Sequence, residues 1–187
     1  MSDLELFLKE KLKPIHRAHY ALWVYWWPWW RNLYSRRSIL RKWGQANLVQ
    51  QGQTVLDFGC GTGSFTIPAA RIIGDKGKVY ALDCFPRQLE IVTRESQKEG
   101  LTNIETILSD SKLSLPDGSI DVIWMCDVIH EIREKRAVLE ELHRILKENG
   151  TLAIYDSMRD RLLSYTSGLF DLAGSDAKLY RFTKITK

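Results

Sequence analysis

The chain has 187 residues, 44% of them hydrophobic and 27% charged, which predicts one globular domain with a hydrophobic core and an N-terminal extension. A formal net charge of +4 is too small to indicate a nucleic-acid partner by itself, and three cysteines disfavour a disulfide framework. Residues 1–13 are too charged for a signal peptide, and no apolar run approaches the ~20 residues of a membrane span. We therefore expect a cytoplasmic protein that is soluble or at most membrane-peripheral.

Residues 1–50 are predicted to form a helical segment rich in aromatic and basic side chains. Helices are predicted over 3–13, 15–27 and about 29–43. Five of the seven tryptophans lie close together in this segment: Trp23, Trp26, Trp27, Trp29 and Trp30.

Three interpretations of this segment stay open. It packs on the main domain as ordinary core, as a tryptophan stripe at helical spacing commonly does. It forms a lid over a substrate pocket, where broad aromatic faces suit an apolar or ring-containing substrate. Residues 20–43 make a peripheral membrane contact, since tryptophans beside arginines suit the membrane interface. The lid and the membrane contact are compatible, and our domain assignment adopts the lid.

The most informative stretch is a short apolar run from Thr54, followed by three glycines at alternate positions and an apolar segment of helical period over 65–73. The glycines are Gly59, Gly61 and Gly63. This order predicts a buried strand, a glycine turn and a helix, and such a turn lets a ligand lie against the backbone. Asp57 stands two residues before the first glycine, where a carboxylate would repel a pyrophosphate and attract an ammonium or a sulfonium. We therefore predict a cationic cofactor.

The rest of the chain alternates predicted strands and helices. Strands are predicted over 78–83, 104–110, 120–126 and 151–155, helices over about 86–99, 133–147 and 159–167, and a closing pair of strands over 169–173 and 179–185. This alternation indicates βαβ units with right-handed crossovers. We predict a doubly wound, mostly parallel Rossmann-like sheet of seven strands with an antiparallel closing strand and helices on both faces.

The motif D-x-G-C-G-T-G over 57–63 resembles the first motif of the class I methyltransferases, which use S-adenosylmethionine (SAM). Four further segments resemble the same family in the expected order: the acids that close the second and third strands, D-V-I-H-E-I over 127–132 and G-T-L-A-I-Y over 150–155. The resemblance covers residues 52–158. It implies a SAM-binding methyltransferase domain over 51–187, with the segment 1–50 as a lid.

The resemblance also assigns cofactor-binding residues. Asp57 would lie near the methionyl amino group, Asp83 at the ribose hydroxyls, Cys84 beside the adenine, and Asp110 with Ser111 at the adenine amino group. The remaining assigned positions are Gly59, Cys60, Gly61, Gly63 and Asp127. As an alternative, acids at strand ends only cap the next helix or turn. Three such acids around one glycine turn favour a ligand.

Methyl transfer from a sulfonium needs mainly an acceptor atom that is held in line at about 3 Å. A general base matters only if the acceptor must lose a proton early. His130 is the candidate catalytic residue, with Glu131, or with His16, His19 or Tyr20 if the N-terminal segment closes over the site. The competing interpretation is a hydrogen-bonded structural histidine.

A metal site is not predicted. The cysteines Cys60, Cys84 and Cys126 each fall at or just after the end of a predicted strand, but none shows C-x-x-C spacing. Small buried side chains explain them better than a metal or redox site.

We predict an enzyme, a SAM-dependent methyltransferase that acts on a small apolar or aromatic acceptor, similar to the quinone-biosynthesis C-methyltransferases. An RNA or other macromolecule methyltransferase is one alternative, which the basic helix 31–42 keeps open and the absence of an N-P-P-[YF] motif after the fourth strand disfavours. A non-catalytic SAM-binding protein and a nucleotide-dependent oxidoreductase are the others. The sequence predicts no oligomeric state.

Overall fold

The computed structural model describes residues 48–108, 113–156, 159–176 and 178–186. The helices predicted over 3–43, and the three interpretations of that segment, lie outside these ranges. Two predicted cofactor-binding residues, Asp110 and Ser111, also lie outside them.

Seven strands and four helices occupy the described residues. The strands are β1 (Thr54–Phe58), β2 (Lys78–Asp83), β3 (Ile104–Leu108), β4 (Ile120–Cys126), β5 (Leu146–Tyr155), β6 (Phe170–Asp176) and β7 (Leu179–Lys184). The helices are α1 (Thr66–Ile73), α2 (Pro86–Lys98), α3 (Lys135–Ile145) and α4 (Arg159–Thr166). None of these helices is long and apolar enough to cross a membrane.

The strands form one sheet in the order β3-β2-β1-β4-β5-β7-β6. Strands β1 to β5 pair in parallel, and β7 runs antiparallel between β5 and β6. The predicted Rossmann-like sheet with an antiparallel closing strand is therefore confirmed. Because the chain crosses from β3 to the far side of β1, the carboxyl ends of β1 and β4 meet where the strand order reverses, which is where open α/β sheets bind ligands.

Helices cover both faces of the sheet, as predicted. Alternate residues of each strand point to opposite faces, so the continuous apolar runs of β1 and β4 supply two cores. One core joins α1 to the sheet through Phe65, Ile73, Val55, Val79 and Val122. The other joins α3 and α4 to the sheet through Leu139, Leu142, Leu162, Leu56 and Ile123. Each such side chain, when fully buried, contributes about 1.5–3 kcal/mol to the stability of the fold. This packing holds in place the strand ends at which the site residues lie.

The start of β5 differs from the prediction. We expected Asn149-Gly150 to stop a helix over 133–147, but α3 ends at Ile145 and β5 starts at Leu146. Leu146 is fully buried and pairs with Ile120 of β4, so burial of this side chain in the sheet ends the helix. Asn149-Gly150 then falls in an irregular part of β5, where the pairing shifts register before Thr151.

Candidate cofactor and acceptor site

The glycine turn between β1 and α1 is held against the end of β2. The backbone N–H groups of Gly59 and Cys60 both donate to the carbonyl oxygen of Leu82, at 2.8 and 2.9 Å. The N–H of Gly63 then donates to the carbonyl of Cys60 at 3.1 Å, which closes the turn. These bonds give the turn a fixed position at the carboxyl edge of the sheet.

Two glycines of the turn are required for different physical reasons. At Gly59, φ is +76° and an added Cβ would overlap the side chain of Val128, so this position brings the turn against the segment after β4. At Gly61, φ is +53° and an added Cβ would have no heavy atom within 4 Å. The backbone at Gly61 is therefore open to a ligand, while Gly59 is closed by packing.

Asp83 connects β2 to this turn. Its Oδ2 accepts the N–H of Gly61 at 2.8 Å, and its Oδ1 accepts the N–H of Phe85 at 2.9 Å. The carboxyl group is buried, and burial raises its pKa while these backbone donors oppose the rise. A carboxylate offers about four acceptor positions, so the backbone bonds leave capacity for a ligand hydroxyl. Asp83 thus caps a turn, as the alternative interpretation proposed, and remains able to bind a ligand.

Asp57 lies beneath the turn. It is 2% exposed, and its Oδ2 accepts a hydrogen bond from the hydroxyl of Thr66 at 2.6 Å. Burial raises the pKa of Asp57 to about 7. The structure therefore shows Asp57 joining β1 to the first turn of α1, and its predicted place near a methionyl amino group stays a prediction.

The three cysteines lie at the carboxyl edge, as their positions after strands suggested, and none of the three forms a disulfide. Burial, followed by the charges of Asp57 and Asp83, raises the pKa of the Cys60 thiol. A thiol with a raised pKa is a poor nucleophile and a poor metal ligand. Cys84 directly follows Asp83, beside the turn, and its predicted contact with the adenine stays a prediction.

His130 and Asp127 lie beyond the end of β4. His130 Nδ1 is 3.0 Å from Asp156 Oδ2 and 3.7 Å from Asp127 Oδ1. His130 Nε2 is 3.2 Å from Glu131 Oε1. The hydrogen bond with Asp156 is the main cause that raises the pKa of His130, and the charges of Asp127 and Glu131 add to it.

The backbone holds this second group of side chains next to β5. Asp127 has a φ of +55°, the only positive φ among the described residues other than glycine, and its N–H donates to the carbonyl of Tyr155 at 2.8 Å. Asp156 is the residue after β5, and its N–H donates to the carbonyl of Lys178 at 3.0 Å. Adjacent pairing of β4 and β5 therefore brings these side chains together.

The structure brings most of the predicted site residues to one edge of the sheet. They are Asp57, Gly59, Cys60, Gly61, Gly63, Asp83, Cys84, Asp127 and His130. Sequence reasoning missed Thr66 and Asp156. The signal for Asp156 was present, because it is an acid at the carboxyl end of a strand: it directly follows β5, as Asp83 closes β2.

The described residues suit a SAM molecule. The open backbone at Gly61 allows close approach of a flat or extended ligand, and the buried Asp83 carboxylate beside it has acceptor positions that suit ribose hydroxyls. The carboxylates around the turn favour a ligand that carries positive charge. A pyrophosphate would meet the same carboxylates with repulsion.

Comparison with known proteins agrees with this geometry. Residues 50–180 match the family described as "Methyltransferase domain". A demethylmenaquinone methyltransferase of Geobacillus stearothermophilus is 29% identical over 136 residues, which are 72% of this chain and 56% of that protein. A demethylmenaquinone methyltransferase of Listeria monocytogenes is 32% identical over 115 residues, which are 61% of this chain and 48% of that protein. The chain thus spans about half the length of these relatives.

A solved structure described as a SAM dependent methyltransferase from Aquifex aeolicus is similar to this chain with a TM-score of 0.69 and 25% sequence identity. The similarity covers 80% of this chain and 89% of the Aquifex chain. These findings confirm the predicted fold and S-adenosylmethionine as the cofactor. The chain belongs to the methyltransferase domain family, as a class I SAM-dependent member that resembles the quinone-biosynthesis C-methyltransferases.

Proposed function

We propose that the protein transfers a methyl group from SAM to a small ring-containing acceptor of the quinone class. The observation that carries the cofactor half of this proposal is the bond between the Gly61 N–H and the buried Asp83 carboxylate, next to a backbone with open space above it. This arrangement places the open backbone of the glycine turn beside a carboxylate that accepts hydrogen bonds from hydroxyl groups. Both lie at the carboxyl edge of the sheet, near the point where the strand order reverses.

In this proposal the residues divide into two groups. Asp83 accepts ribose hydroxyls, the turn from Gly59 to Gly63 contacts the ligand through backbone, and Cys84 borders the adenine. Asp110 and Ser111, which lie outside the described residues, complete the adenine contact. When bound, SAM supplies a methyl group that its positively charged sulfur already activates, so the protein's main contribution is to hold the acceptor in line.

The second group of side chains, Asp127 with His130, lies where cofactor and acceptor meet in this proposal: Asp127 keeps the cofactor contact assigned to it above, and His130 faces the acceptor. These residues follow β4, the neighbour of β1 in the sheet, and the segment that carries them touches the glycine turn through Val128 and Gly59. Short contact between the two groups suits a reaction in which donor and acceptor must meet within about 3 Å.

The acceptor class rests on the relatives. Two of the similar proteins are named demethylmenaquinone methyltransferase, and a demethylmenaquinone is a small ring-containing molecule. The tryptophans of residues 23–30 would suit the same class, because aromatic faces bury flat apolar rings. We propose that residues 1–50 cover the acceptor, and that residues 20–43 reach the surface of a membrane from the cytoplasmic side when the acceptor is lipid-soluble.

The function is tested by incubating the full chain with SAM and a panel of acceptors: a reduced demethylmenaquinone analogue, a small amine and a short single-stranded RNA. We expect a methylated product and demethylated SAM only with the reduced quinone, and an increase when the quinone is offered in lipid vesicles. Asp83→Asn should lose most of the activity, whereas Asp171→Asn, an exposed aspartate on β6, should retain it.

Two results would contradict this proposal. Methylation of RNA in preference to the quinone would favour the macromolecule alternative. Tight SAM binding with no product from any acceptor would favour the non-catalytic alternative.

A further inference from the structure

His130 lies between three carboxylates, and each contact has a defined atom. Nδ1 meets Asp156 at 3.0 Å and, more distantly, Asp127 at 3.7 Å, while Nε2 meets Glu131 at 3.2 Å. The two ring nitrogens therefore face different partners, so they can have different roles.

Burial differs sharply among the partners. The Asp156 side chain is 0% exposed, that of Glu131 is 20% exposed, and that of Asp127 is 63% exposed. The imidazole of His130, at 30% exposure, thus connects a fully buried carboxylate to a more open edge of the site. A buried carboxylate is stabilised only when it is hydrogen-bonded or paired, so Asp156 and His130 depend on each other for their positions.

The Asp156 contact limits where the ring of His130 can carry its proton. When Asp156 is ionised it only accepts hydrogen bonds, and the 3.0 Å contact with its Oδ2 then requires a proton on His130 Nδ1. The second proton of an imidazolium then sits on Nε2, on the side of Glu131. Loss of one proton from the ring is therefore loss from Nε2, because the Nδ1 proton is held by the buried partner.

We propose that Asp156 is a positioning residue, which holds His130 so that Nε2 accepts a proton from the methyl acceptor. This inference rests on the proposed function and narrows its substrate class. The acceptor is a molecule that must lose a proton on methylation, such as the ring carbon of a hydroquinone or a hydroxyl group. The acceptor atom gains the methyl group and gives its proton to Nε2, and the electron pair of the methyl–sulfur bond stays on sulfur.

Charged groups from several elements act on this imidazole. Asp127 and Glu131 come from the segment between β4 and α3, and Asp156 follows β5; together they raise the pKa of His130, with the Asp156 hydrogen bond as the largest cause. The charge of Lys178, between β6 and β7, lowers the pKa of Asp127. A base with a raised pKa is protonated at rest, so the rate of methyl transfer should rise as pH increases through that pKa.

The first test is the pH profile of kcat for the wild type, Asp156→Asn and Glu131→Gln. We expect a wild-type profile that rises with a midpoint above ~6.5, the ordinary pKa of histidine. Asp156→Asn should lower kcat at least tenfold and move the midpoint to lower pH, and Glu131→Gln should move the midpoint the same way with a smaller loss. The KM for SAM should stay within about twofold, and the control Asp171→Asn should match the wild type.

The second test needs no activity. Nitrogen-15 chemical shifts of the neutral His130 ring report which nitrogen keeps its proton. We expect Nδ1 in the wild type and in Glu131→Gln, and a mixture of both tautomers in Asp156→Asn. If Asp156→Asn does not fold, the tautomer of His130 is measured in the wild type and in Glu131→Gln alone, because both keep the buried carboxylate of Asp156.

Three outcomes would overturn the proposal. The first is a neutral His130 in the wild type that keeps its proton on Nε2. The second is a pH midpoint that is the same in the wild type and both variants. The third is methyl transfer that is lost with a chelator and restored by Mn²⁺, because the ligand atoms of Asp127, His130 and Asp156 lie within 4.8 Å of one another and could hold a cation. If SAM binds and the tautomer is as expected but no acceptor is methylated, the result contradicts the proposed function and leaves the positioning of His130 by Asp156 intact.

Discussion

At the scale of single residues, the site is dominated by buried acids that would be costly without partners. Asp57 has the hydroxyl of Thr66, Asp83 has the N–H groups of Gly61 and Phe85, and Asp156 has His130. Such burial disfavours the charged form of a carboxyl group. Burial of these acids at the edge of the sheet therefore lowers the stability of the fold, while their hydrogen bonds hold the carboxyl groups in fixed directions.

Asp57 should make the stability of the protein depend on pH. Its pKa is raised from 3.8 to about 7, so between these values the folded protein binds a proton that the unfolded chain does not. The free energy of unfolding should therefore fall as pH rises across this window, by at most about 1.4 kcal/mol per pH unit from this group, and should level off above about 7.

The measurement is urea unfolding of the wild type and Asp57→Asn at several pH values from 4.5 to 8 (a window set by the two pKa values above). Asparagine keeps an oxygen for the Thr66 hydroxyl but does not ionise, so the stability of the wild type relative to the variant should decrease with rising pH. A stability difference between the two proteins that is independent of pH would show that Asp57 ionises normally in the fold.

At the scale of elements, close approach of the glycine turn to the segment after β4 determines the geometry of the site. Gly59 is the contact point, because any side chain there would overlap Val128. The two groups of site residues, one after β1 and β2 and the other after β4 and β5, meet across this contact. Packing at this contact should therefore control both stability and site geometry.

A double-mutant cycle tests this contact. Gly59→Ala should destabilise the protein by roughly 2–4 kcal/mol, since overpacking adds to the cost of a positive φ for a residue with a Cβ. Val128→Ala should cost about 1–2 kcal/mol and should recover part of the loss when combined with Gly59→Ala, because it removes the overlapping methyl groups. The readout is the free energy of unfolding in urea.

Additive effects of the two substitutions would mean that the turn does not pack against Val128 as the structure shows. Asp171→Asn combined with Gly59→Ala serves as the additive control, because Asp171 is exposed on β6, at the far edge of the sheet.

Local sequence signals predicted the part of the site that carries a distinctive glycine pattern. Gly61 and Asp83 are 22 residues apart and meet through the pairing of β1 with β2, but three glycines marked the turn and the acid that closes β2 stands at the spacing typical of such a turn. The pair His130 and Asp156 is 26 residues apart, and only the parallel pairing of β4 with β5 brings its members together. The start of β5 was predicted wrongly for a related reason, since Asn149-Gly150 is a strong local stop signal and the burial of Leu146 against Ile120 is a long-range one.

At the scale of the whole molecule, the sheet places a backbone platform, a set of carboxylates and an imidazole at one edge. The order of the strands brings β1 and β4 together, and every described site residue lies at the carboxyl end of β1, β2, β4 or β5 or in the segment that follows it. The family match and the Aquifex structure agree with that architecture. The central claim is that SAM binds to the open backbone of the glycine turn.

SAM titration of the wild type, Gly61→Ala and Gly100→Ala by calorimetry tests this claim most directly. Both glycines have positive φ, +53° and +65°, and an added Cβ has no heavy atom within 4 Å at either position. Both variants should therefore lose about 1–2 kcal/mol of stability from backbone strain alone. Gly100 follows α2, away from the turn, so it controls for that strain.

If SAM lies on the turn, Gly61→Ala should weaken SAM binding at least tenfold, because its methyl group occupies the space of the ligand, and Gly100→Ala should bind SAM as the wild type does. The addition of SAM should raise the unfolding temperature of the wild type and of Gly100→Ala, and raise that of Gly61→Ala much less. Equal SAM affinity in Gly61→Ala and Gly100→Ala would contradict the account.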